Sequence, residues 1–111
     1  MLAALLALAI LDPTLDQAQT CRAHMEMLIE DVAREDGQVA GPTWFIRDWW
    51  DRKAADAGAP DDGGAAVAAR RTELARQRTV RPDDFQSGRG ACVDAALDAG
   101  AVPGMMRVRP E

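Results

Sequence analysis

The chain has 111 residues, with 13 basic and 18 acidic side chains giving a net charge of −5. Apolar residues make up 48% of it, but 22 of them are Ala, which leaves few large side chains for a core. These figures allow one domain and exclude a multi-pass membrane protein, a coiled coil, a collagen-like fibre and a conventional large enzyme.

Residues 1–11, from Met1 to Leu11, form an unbroken apolar run closed by Asp12 and Pro13. Crossing a bilayer takes about 20 apolar residues, so no transmembrane span is expected here. The run matches the apolar region of a secretory signal peptide in length and content. Two details depart from that pattern: the first positive charge is Arg22, and Asp16 stands two residues before Ala18, the best-placed small residue. A start upstream of Met1 would remove both departures. The alternative is a short buried first helix.

Strand signals are nearly absent, and helix signals recur. Residues 12–100 read as one helical domain. The first helix has two possible starts: Asp12 capping ahead of Pro13, or a capping box from Thr14 to Gln17. Ala18, Cys21, Met25, Leu28 and Val32 follow at spacings of three and four, which marks one buried face ending at Gly37. His24, the only histidine, reads as a partly exposed structural residue.

A second helix is expected from about Gly41 to Ala57. It carries all three tryptophans, Trp44, Trp49 and Trp50, together with Phe45 and Ile46. Phe45 with Trp49 forms one stripe and Ile46 with Trp50 another, about 100° apart. Either both stripes fill the centre of a bundle, or one stays exposed and docks a partner. Residues 58–64, rich in Gly and Asp, form the most obvious loop.

A third helix is expected over 65–79, with Val67 and Leu74 as its main apolar contacts. Arg70, Arg71, Arg76, Arg78 and Arg81 place five positive charges within 12 residues, opposed nearby only by Glu73. They form either a solvated helix face or a patch for an acidic partner, with Arg70, Arg71 and Arg78 as candidates. The fourth helix begins after Arg81-Pro82 and ends at Gly100, with a possible break at Gly88 and Gly90. Phe85 and Cys92 share its apolar face with Ala95, Ala96 and Ala99. Residues 101–111 are expected to be a loosely held tail.

Cys21 and Cys92 thus fall on apolar faces of the first and last helices. Two cysteines and one histidine are too few for a zinc site, so one structural disulfide is expected, in keeping with export. No catalytic set emerges. Ser87 does not sit in a nucleophile elbow, the glycines at 88 and 90 follow no strand, and the pairs Asp61-Asp62 and Asp83-Asp84 read as caps or solvated loop residues. A minor hydrolase built on those aspartates is only a remote alternative.

The expected fold is therefore all-α: a small four-helix domain stapled by one disulfide, with no cofactor. The expected function is that of a non-catalytic periplasmic or secreted protein that binds another protein, with nucleic acid disfavoured by the net negative charge. The alternative is a cytoplasmic accessory protein whose Arg-rich helix contacts nucleic acid or an acidic partner. The plan of an apolar leader, helices and two cysteines is similar to that of small periplasmic acid-stress chaperones, although no motif matches residue by residue.

Overall fold

A computed structural model of the chain describes residues 12–104; the apolar run at 1–11 and residues 105–111 of the expected tail lie outside them. Four helices follow in order: α1 Leu15–Asp36, α2 Gly41–Asp56, α3 Ala65–Val80 and α4 Pro82–Asp98. The all-α, four-helix architecture is as expected.

Helix boundaries follow local chemistry. Of the two possible starts for α1, the capping box is the one formed. Thr14 Oγ1 accepts from the Gln17 N–H at 3.1 Å, and Gln17 Oε1 accepts from the Thr14 N–H at 2.9 Å. Two otherwise orphaned donors are satisfied in this way. Gly37 ends the helix at φ +78, a left-handed cap that donates to the Ala33 carbonyl. Pro42 and Pro82 occupy the first turns of α2 and α4, where a missing N–H costs nothing.

The start of α3 is capped from the loop. The Asp62 carboxylate accepts from the N–H groups of Gly64 at 2.9 Å and Ala66 at 3.1 Å. Those backbone donors, Ala66 foremost, hold its carboxyl below the ordinary aspartate value. Asp83 and Asp84 lie in the first turn of α4, where negative charge complements the helix dipole. Three of the four adjacent aspartates, Asp62, Asp83 and Asp84, thus sit at helix starts.

The possible break at Gly88 and Gly90 does not occur, since α4 runs through both. Glycine inside a helix costs about 1 kcal/mol relative to alanine. At Gly88 packing explains the choice: a Cβ there would stand 3.0 Å from His24 Nε2. This glycine lets α4 approach α1 closely.

The core has two parts. Ala18, Cys21 and Met25 of α1 pack with Ile46, Trp50 and Ala54 of α2 and with Cys92 and Ala96 of α4. Ala23 and Met27 of α1 pack separately with Val67 and Leu74 of α3 and with Phe85 of α4. The single buried face expected for α1 is therefore only half of what it buries. As the central helix, α1 contacts all the others, whereas α2 and α3 make no close approach. Phe85 and Cys92, expected on one common face, serve different clusters, and Ala95 and Ala99 are exposed.

Cys21 and Cys92 are placed as a disulfide, with Cα atoms 5.4 Å apart. That separation lies within the range disulfides require. Packing also runs past the expected end of the domain at Gly100. Ala101 and Val102 are buried in the first cluster, and the Ala101 N–H donates to the Ala96 carbonyl at 3.0 Å. Two apolar residues directly after a helix cap are enough to fasten the first part of the tail.

Candidate functional site

The tryptophan-rich helix divides its aromatics between core and surface. Ile46, Trp50 and Ala54, spaced by four, point inward. Trp50 is 3% exposed, and its Nε1 donates to the Cys92 carbonyl at 2.9 Å. It is a core residue anchored beside the disulfide, and it leaves the docking candidates. Trp49 is half-buried against the first cluster, edge-on to Trp50 at 4.7 Å, with the Lys53 ammonium over its ring at 5.2 Å.

Trp44 and Phe45 differ from these. They are 39% and 48% exposed, adjacent, and in the first turn of α2. The Arg47 guanidinium lies 4.9 Å from the Trp44 ring centroid and also pairs with Asp48. Neither expected stripe is exposed as a whole: Ile46 with Trp50 is buried, Trp49 is half-buried, and the exposed pair is Trp44 with Phe45. A stripe drawn on α2 alone could not show that Trp49 packs against the first cluster.

The arginine candidates are drawn inward rather than presented as a free patch. Arg70 donates to Asp16, Thr20 and Gln19 of α1. Arg71 pairs with Glu26 and Glu30 of the same helix. Arg78 reaches Asp31 at 2.9 Å. Three arginines on one face of α3 thus meet four carboxylates spread along α1. The more exposed pairs, those of Arg70 and Arg71, contribute about 0–1 kcal/mol each, so their main effect is to fix how α3 lies on α1. Arg76 and Arg81 pair locally, with Glu73 and Asp84.

At the centre of the second cluster is an arrangement built on residues the sequence reading left out, Asp31 and Arg89. Phe85 is fully buried, with the guanidinium groups of Arg89 and Arg78 at 4.8 and 5.0 Å and the His24 ring at 5.1 Å. Asp31 balances the charge, accepting from Arg89 at 3.0 Å and contacting Arg78 and Arg34. Burial opposes its ionisation, but hydrogen bonds from Arg78 and Arg89, reinforced by their charges, hold its carboxyl below the ordinary value. Aromatic faces attract cations, and the carboxylate makes two clustered cations tolerable.

His24 is 2% exposed, not partly exposed as expected. Burial, then the charge of Arg89, push its pKa down from 6.5 to about 4. Neutral imidazole is therefore the folded form near pH 7. The unfolded chain binds the proton more tightly, so this contribution is complete above pH 6.5 and is lost as pH falls toward 4. The shift corresponds to about 3 kcal/mol. Urea unfolding between pH 7 and 4 should show this decline, and His24→Leu should flatten it. A wild-type midpoint that stays level down to pH 4 would contradict the assignment. Asp31 adds acid lability only below the ordinary aspartate value, as pH falls from there toward its own lowered one, so the two contributions separate along the pH axis.

Among the described residues, no group of three or more His, Cys, Asp or Glu is placed to hold a metal ion. No helix among them is long and apolar enough to cross a membrane. The geometry defines a small all-α domain with a disulfide-distance pair, a buried cation–aromatic centre and one exposed aromatic pair. No protein-family model matches the chain, and no curated protein or solved structure matches it.

Proposed function

We propose that the chain is a non-catalytic periplasmic or secreted protein that binds another protein, as a chaperone, an inhibitor or an immunity factor does. The observation that carries the binding reading is the exposed Trp44–Phe45 pair in the first turn of α2. Large aromatics cost little conformational entropy to order and dominate the energetics of protein interfaces. Arg47, stacked on Trp44, adds a cation of the kind enriched beside such anchors. Export is supported by the signal-like run at 1–11 and by the Cys21–Cys92 pair, which oxidising conditions would maintain.

The test pairs fractionation with capture. The oxidised protein should be recovered outside the cytoplasm and retain specific proteins from that compartment. Trp44→Ala with Phe45→Ala should abolish the retention while changing stability by less than about 0.5 kcal/mol per site. Unchanged retention by the double variant would remove this surface from the proposal. A fully reduced, cytoplasmic protein would remove export.

A further inference from the structure

The outer face of α2 carries a seam of exposed residues. Gly41, Phe45, Asp48, Arg52 and Ala55 follow at alternating steps of four and three, the spacing that lines side chains up along one side of a helix. Gly41, Phe45, Arg52 and Ala55 are exposed, and the Asp48 side chain is 48% exposed. On its other side α2 buries Ile46, Trp50 and Ala54 in the first cluster, and it makes no close approach to α3. Both charges on the seam are open to a partner. The two contacts from Arg47 go to Asp48 Oδ1, at 3.1 and 2.7 Å, which leaves Oδ2 to accept elsewhere. Arg52 makes no ion pair among the described residues.

The order of these side chains is self-complementary. From Phe45 to Ala55 the seam runs bulky, acidic, basic, small; turned end for end it runs small, basic, acidic, bulky. We propose that two copies of this chain associate through this face of α2, antiparallel, with Phe45 seated on Ala55 and Asp48 paired with Arg52 of the other copy. A two-fold axis repeats both contacts, so each copy supplies both halves of the match. The net charge of −5 does not oppose the contact locally, because the seam carries one charge of each sign. Trp44 and Asp56 border the seam on opposite sides and do not face each other across it. A seam one helix wide is smaller than the roughly 1,600 Å² of a standard stable interface, so the pair forms reversibly and separates on dilution. This goes beyond the protein-binding reading: the second copy takes part of the same surface, and a different protein would compete with it.

Sedimentation velocity of the full-length oxidised protein, from micromolar to millimolar concentration, reads the association directly. The expected result is a monomer that gives way to a dimer as concentration rises. Asp48→Arg and Arg52→Asp each set like charges opposite one another twice per dimer, and each should raise the dissociation constant at least about tenfold. Carrying both changes in one chain restores opposite charges, and so does mixing the two single variants; each should recover the dimer. Circular dichroism should show unchanged helix content throughout, since both side chains are at the surface. A wild type that stays monomeric, single reversals that dimerise as it does, or failure of both the double variant and the mixture to dimerise would each overturn the proposal. A monomer that still retains proteins of its compartment overturns the pairing alone, and a dimer that retains none overturns the protein-binding reading alone.

Discussion

Removing the Cys21–Cys92 disulfide is expected to lower the unfolding free energy by about 4 kcal/mol. The link spans 71 positions, and closing so long a loop in advance restricts the unfolded chain severely on the loop-entropy account. A domain of this size has only about 5–15 kcal/mol in total, so the loss is a large share of what keeps it folded. The link also lies within the first cluster, between the central helix and the last. Urea unfolding with and without a phosphine reductant measures the effect, and the Cys21→Ala, Cys92→Ala double variant checks it without reductant. A difference below about 1 kcal/mol would mean that packing alone holds α4 on α1.

Trp50→Ala should cost about 3–5 kcal/mol, the usual range for emptying a large aromatic site in a core. Two losses combine there: the buried ring, 3% exposed, and the hydrogen bond from Nε1 to the Cys92 carbonyl. Trp50→Phe keeps most of the ring and drops the donor, and should cost about 1–2 kcal/mol. Trp44→Ala serves as the contrast, because its side chain is already well exposed. Calorimetry on the three variants should rank them in that order. A Trp50→Ala protein as stable as Trp44→Ala would contradict the core assignment.

What the sequence discloses here is mostly local. Thr14 with Gln17, Gly37, Pro42 and Pro82 mark helix ends through groups within a few residues, and these positions are as expected. The inward spacing of Cys21, Met25 and Cys92 is equally legible, because a helical period projects directly onto a buried face, whereas α2 offers two stripes in sequence and only the fold selects Ile46 with Trp50 as the buried one.

The candidate site was harder to see, because its contacts join residues far apart in the chain. The arginines of α3 look unopposed in sequence, since Glu26, Glu30 and Asp31, their partners, lie more than 40 positions away. A signal existed: acidic residues recur along α1 between its apolar positions, and α3 supplies arginines and few large apolar groups. Gly88 misled in the opposite direction. Its low helix propensity suggests a break, whereas the close imidazole of His24 gives it a packing reason that no local window contains.

The absence of contact between α2 and α3 has a consequence for how the molecule unfolds. Each peripheral helix is attached to α1 and α4, and any cooperativity between them must pass through those two shared supports. The disulfide reinforces only the cluster on the α2 side; α3 is kept in place by Val67, Leu74 and charged pairs. Helices held by few apolar contacts open at lower free energy than the whole. This chain can therefore release α3 as a unit while the oxidised half stays closed, which gives a small domain two levels of opening.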